Sequence, residues 1–129
     1  MATGERRILV VDDDADVRSM VRLVLETEGY AVDVAGDGFA ALRAVESLAP
    51  DCVVLDVMMP GLDGHAVLHR IRGGARSSLP VVMLTASADD DCAWQAWTEG
   101  VDYFLAKPFD ADELLRYLDY LFHAGSRAS

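Results

Sequence analysis

Apolar positions along this chain gather into four short runs, residues 8–11, 52–55, 81–84 and 103–106, and each ends on side chains capable of chemistry. The first runs into Asp12 and Asp13, the second into Asp56, the third into Thr85 and the fourth into Lys107-Pro108. Continuous apolar runs of this length, bounded by polar or turn residues, predict strands buried on both faces. The stretches between them carry apolar residues at helical spacing. Val17, Met20, Val21, Val24 and Leu25 follow Asp14, a natural N-cap, and Gly29 closes that first helix. Ala31 to Ala35, with Asp33 between two valines, is a shorter second strand nearer an edge. Asp37-Gly38 opens a second helix along Ala41, Leu42, Val45 and Leu48, which closes before Pro50. The turn Met59-Pro60-Gly61-Leu62 leads to a third helix from about Asp63, with Val67, Leu68 and Ile71 inward. Residues 73–78 form a loop into the strand at Pro80, a fourth helix covers about 89–99 and stops at Gly100, and a fifth starts near Asp110 with Leu114, Leu115, Leu118, Leu121 and Phe122.

Five repeats of strand then helix argue for an α/β fold with a parallel sheet covered on both faces. Right-handed crossovers leave few arrangements, and the flavodoxin-like doubly wound order 2-1-3-4-5 is the one expected. Ligands of such sheets bind outside the carboxyl ends of the strands. That order makes Asp12, Asp13 and Asp56 neighbours at the switch point, with Thr85 and Lys107 on the same edge. Lys107 is the only lysine in the chain.

Three carboxylates in one pocket repel, so either some are protonated or a cation sits among them. An all-oxygen set of this kind suits a hard cation such as Mg2+. A carboxylate beside a bound metal can act as a nucleophile and carry a phosphoryl group as an acyl phosphate. A metal on one side and Lys107 on the other would neutralise charge in such a transfer, and Thr85 could hydrogen-bond a phosphoryl oxygen. Asp56 is the natural nucleophile, because it stands alone on the central strand whereas Asp12 and Asp13 come as a pair.

Composition narrows the remaining classes. The 129 residues fit one domain, expected over residues 6–124 with 1–5 and 125–129 as short tails. A net charge of -11 with scattered arginines argues against a nucleic-acid surface on this chain. No apolar stretch approaches a membrane span, and no signal-peptide pattern opens the sequence. Cys52 and Cys92 are too few for a disulfide framework and lack metal-ligand spacing, so both are expected as reduced thiols in a cytoplasmic protein.

The residues at the strand ends also resemble a known family. Val10-Val11-Asp12-Asp13, the stretch 55–64 from Leu55-Asp56 to Asp63-Gly64, Thr85-Ala86 and Lys107-Pro108-Phe109 are similar, in order and spacing, to the motifs of response-regulator receiver domains of two-component signalling. The likeness runs from Arg7 to His123. It implies that Asp56 accepts a phosphoryl group from a phosphohistidine on a sensor histidine kinase or phosphotransfer protein. It implies Mg2+ held by Asp13, Asp56 and the carbonyl of Met58, with Asp12 acting through water. It also implies a cis Lys107-Pro108 bond, and a switch in which Thr85 moves toward the phosphoryl oxygen while Phe104 turns inward. The face made by the fourth helix, fifth strand and fifth helix would then repack to control a protein partner, with dimerisation through that face an open possibility. The family's switch aromatic is often tyrosine; Phe104 keeps the ring without the hydroxyl. Met58 and Ser87 stand where family members vary.

Plainer readings apply to other positions. Asp14 is a helix cap rather than a third metal ligand. His65 and His69 share the spacing of a metal pair but have no third ligand in sight, so both are expected as exposed surface residues. Trp94 and Trp97 share a helix face, one flanking the core and one partly exposed; Asp89-Asp90-Asp91 caps and charges a helix N-terminus. The expected protein is a stand-alone receiver that catalyses only its own phosphorylation and dephosphorylation. The alternatives are the receiver fragment of a larger DNA-binding regulator or hybrid kinase, and an aspartate-nucleophile phosphohydrolase. Enzymes of the haloacid-dehalogenase type carry an acid/base aspartate two residues after the nucleophile, where this chain has Met58. A flavin or cobalamin carrier is disfavoured, because three aspartates stand where a phosphate-binding loop would need small and hydroxyl residues.

Overall fold

The computed structural model describes residues 5–85, 97 and 100–128, with side chains as far as residue 123. Its strands are β1 (Arg7–Val11), β2 (Ala31–Ala35), β3 (Cys52–Asp56), β4 (Val81–Thr85) and β5 (Tyr103–Ala106). They form one sheet in the order β2-β1-β3-β4-β5, with every pair parallel. The helices are α1 (Ala15–Thr27), α2 (Gly38–Leu48), α3 (Gly64–Arg72) and a C-terminal helix (Ala111–Ala128). The expected order and all five strands are present.

Alternation along each strand splits the core into two layers. Leu9, Val11, Val53, Leu55, Val81 and Met83 meet Ala41 and Val45 of α2 and Val67, Leu68 and Ile71 of α3. Ile8, Val10, Cys52, Val54, Val82 and Leu84 meet Val21 and Leu25 of α1 and Leu114 and Leu118 of the C-terminal helix. β3 and β4 are buried at every position, whereas β2, at the sheet edge, exposes Val34. This is why the central strands read as unbroken apolar runs and β2 does not.

Aspartates start the helices as their sequence positions suggest. Asp14 accepts from the N–H groups of Asp16 and Val17, Asp37 from that of Ala40 and Asp63 from that of Ala66. Gly29, in a left-handed conformation, follows α1.

Three expectations change. β5, at the sheet edge, is only partly buried at Tyr103 and Phe104 and exposes Ala106, so its apolar run does not mark burial on both faces. His65 is buried, at 8% exposure, while His69 is exposed. The start of α3 is pressed against the end of β3, with the Gly64 N–H donating to the Val57 carbonyl at 2.9 Å. That contact widens the inward stripe of Gly64, Val67, Leu68 and Ile71 to include position 65. The C-terminal helix also continues to Ala128, into the stretch read as a tail; Gly125 costs a helix only about 1 kcal/mol. The expected fourth helix, with Ser87, Asp89-Asp90-Asp91, Cys92 and Trp94, lies outside the described residues. Trp97 is described, helical and half exposed.

Candidate functional site

Parallel strands ending at the same level bring Asp12, Asp13, Asp56, Thr85 and Lys107 to one edge of the sheet. The order places β1 beside β3, β3 beside β4 and β4 beside β5, so each residue has its neighbour on the next strand. Backbone hydrogen bonds carry the ladder past the strand ends. The Asp12 N–H donates to the Ala35 carbonyl at 3.2 Å, Val57 to Leu84 at 2.9 Å and Lys107 to Thr85 at 2.6 Å. The Lys107-Pro108 peptide bond is cis, as the resemblance implies.

Asp12 and Asp56 are almost fully buried, at 1% and 3% exposure, whereas Asp13 faces solvent. The Lys107 ammonium bridges the two buried carboxylates, 2.9 Å from Asp12 Oδ2 and 3.3 Å from Asp56 Oδ1. The Asp14 N–H donates to Asp12 Oδ1 at 2.9 Å, and the Met58 N–H to Asp56 Oδ1 at 3.3 Å. Arg18 reaches back from α1 to the Asp12 carbonyl at 2.7 Å, fixing the turn that carries the acidic pair. Thr85 is fully buried. Phe104 is half-buried and packs on the α2/α3 layer.

Close approach also shapes the chain just after Asp56. A Cβ on Gly64 would lie 2.4 Å from the Asp56 carbonyl oxygen and 2.8 Å from Val57 Cα, so only glycine lets α3 begin against the end of β3. Sequence reasoning left Gly64 within a motif without this role, and it passed over Arg18, whose target is a backbone carbonyl that no residue pattern marks.

Electrostatics leave the cluster short of positive charge. Burial, then the Asp12 charge, pushes the Asp56 carboxyl up to about 6, against the pull of Lys107. Burial works against the Lys107 ammonium as well, but its hydrogen bond to Asp12 and the charges of Asp56 and Asp12 prevail and raise its pKa. One ammonium among three carboxylates does not balance them. Carboxylate oxygens of Asp12, Asp13 and Asp56 all lie within 4.8 Å of one another, near enough to share a cation. An oxygen-only set with one member open to solvent fits a hard divalent ion that keeps part of its water shell.

Residues 8–119 match the model of the response regulator receiver domain. The chain is 45% identical over 115 residues to the DNA-binding response regulator MtrA of Mycobacterium tuberculosis (strain ATCC 25618 / H37Rv), covering 89% of this chain and 50% of that protein. It is 37% identical over 127 residues to the transcriptional regulatory protein ResD of Bacillus subtilis (strain 168), covering 98% of this chain and 52% of that protein. The chain thus spans about half the length of these relatives. Among solved structures, the chemotaxis protein CheY4 of Vibrio cholerae superposes with a TM-score of 0.85 at 30% identity, over 90% of this chain and 98% of that one. Relatives named as DNA-binding regulators leave the expectation of no nucleic-acid contact without support, since charge on this segment speaks only for its own surface. Among the described residues no helix is long and apolar enough to cross a membrane. The fold, the motifs and the matched length agree: this chain belongs to the response regulator receiver domain family.

Proposed function

We propose that residues 6–124 act as a phosphoacceptor switch in a two-component phosphorelay, with Asp56 as the acceptor. The observation that carries this reading is the buried Asp56 carboxylate, held 3.3 Å from the Lys107 ammonium and within 4.8 Å of two further carboxylates. In the transfer, an Asp56 carboxylate oxygen forms a bond to phosphorus while the phosphorus–nitrogen bond of a donor phosphohistidine breaks. The electron pair leaves with the imidazole. The donor is a sensor histidine kinase or a histidine phosphotransfer protein.

Asp12, Asp13, Asp56 and the Met58 carbonyl are the groups that would hold Mg2+, which when bound neutralises charge on the carboxylates and on the phosphoryl oxygens. Lys107 orients Asp56 beforehand and pairs with a phosphoryl oxygen afterwards. Thr85, at the end of the neighbouring strand, donates its hydroxyl to the phosphoryl group. Phe104 follows by moving deeper between β5 and the layer it already touches, and the face around β5 and the C-terminal helix changes for a partner protein. The phosphoryl group thereby selects a conformer within reach of the resting chain.

The phosphohydrolase reading is disfavoured by position 58. Met58 is 65% exposed and its thioether has no proton to give a leaving group, so the acid/base role two residues past the nucleophile is unfilled. Incubation with acetyl phosphate and Mg2+, followed by intact mass, tests the proposal. A single phosphoryl adduct is expected, lost with chelator and absent in Asp56→Asn. Sustained turnover of small phosphomonoesters would overturn it in favour of the enzyme.

A further inference from the structure

Away from the acidic edge, an open groove of about 660 Å3 runs between the C-terminal end of α1 and the C-terminal helix. Its wall on that helix carries Asp112, Arg116, Asp119 and Tyr120, and its opposite wall Glu28 and Tyr30. From Asp112 to His123 the groove follows about 16 Å of helix axis, the length of roughly five extended residues. The Tyr30 ring on that wall packs 6.0 Å from the ring of Phe122, which Arg6 covers at 5.0 Å. Tyr120 stands 68% exposed at the rim. Three carboxylates face one arginine, and His123 Nδ1 lies 2.6 Å from an Asp119 oxygen.

We propose that this groove docks a basic segment of a partner protein, with arginine or lysine side chains against Glu28, Asp112 and Asp119 and an apolar side chain against Tyr120. Charge complementarity selects the occupant. The lining is acidic on balance, and the whole chain carries a net charge of -11, which steers cationic partners and repels anionic ones. An exposed tyrosine beside paired charges is the kind of side chain that anchors an interface once water is excluded around it.

The groove is separate from the phosphoacceptor cluster, so the test leaves Asp56 untouched. A fluorescein-labelled peptide Arg-Arg-Leu-Arg-Arg-Leu is titrated with the intact chain at physiological salt, read by anisotropy and by 1H–15N shifts. Binding is expected with shifts confined to α1's last turn and the C-terminal helix, and none for the peptide with glutamate in place of arginine. Glu28→Gln with Asp119→Asn should weaken binding about tenfold, and Tyr120→Ser about threefold, with circular dichroism unchanged. Glu46→Gln, an exposed carboxylate on α2, is the control and should leave affinity unchanged. Equal loss in the control, shifts clustered at the acidic strand ends, or no binding at millimolar peptide would each overturn the proposal.

Discussion

The two ends of the sheet use the same residue types to opposite effect. At the amino end, carboxylates are matched. The Arg7 and Val81 N–H groups donate to Asp51 and Asp102, each at 2.8 Å, and the Arg7 guanidinium meets Asp33 at 2.6 Å. Arg72 donates to the carbonyls of Gly100, Ser77 and Leu79 and to the Asp102 carboxylate, tying the end of α3 to the starts of β4 and β5. At the carboxyl end, Asp12 and Asp56 share the Lys107 ammonium, and Asp13 adds a third carboxylate with an oxygen within 4.8 Å of theirs. A carboxylate whose charge is met by fixed donors is mortar, whereas a cluster left short of positive charge favours the arrival of a cation. The amino end is tied by matched carboxylates, whereas the electrostatic deficit lies at the carboxyl end.

Breaking the amino end should cost the most. Arg72→Met removes every bond of that clamp and should lower unfolding stability by about 2–3 kcal/mol in urea. Mg2+ affinity of the folded protein should stay the same. A matching loss of Mg2+ affinity would show that the two ends are not independent.

At the carboxyl end the effects should depend on pH and metal. Asp56 has a folded-state pKa of about 6, above its ordinary 3.8. The native chain therefore holds a proton that the unfolded chain has released in that window, and metal-free stability falls as pH rises through it. Mg2+ needs the carboxylate charged, so calorimetry should show affinity weakening about tenfold for each pH unit below about 6. Affinity flat from pH 7 to 5 would remove Asp56 from the metal site.

The smallest effect carries an unusual sign. Asp56→Asn keeps volume and relieves a buried charge, so in the absence of metal at pH 7 it should stabilise the fold by about 1 kcal/mol. Thermal unfolding with chelator checks it, and a loss of stability would mean that Lys107 already balances the cluster.

Much of this division was legible in the sequence. β1, β3 and β4 stood out because burial on both faces leaves no polar interruptions, and their C-terminal residues named the edge where Asp12, Asp13, Asp56, Thr85 and Lys107 meet. Asp14, Asp37 and Asp63 announced helix starts because capping is local. What escaped was long-range. Arg72 and Asp102 stand 30 positions apart, and nothing in either neighbourhood marks the pair. The burial of His65 follows from how closely α3 approaches β3, which helical periodicity does not encode.

The central claim is that the unmatched carboxyl end accepts a phosphoryl group on one particular carboxylate. Borohydride reduction of the acetyl phosphate adduct, which converts an aspartyl phosphate to homoserine, followed by peptide sequencing, tests it most directly. Homoserine at position 56 alone is the predicted result. Homoserine at Asp12 or Asp13, or an adduct that borohydride leaves intact, would contradict it.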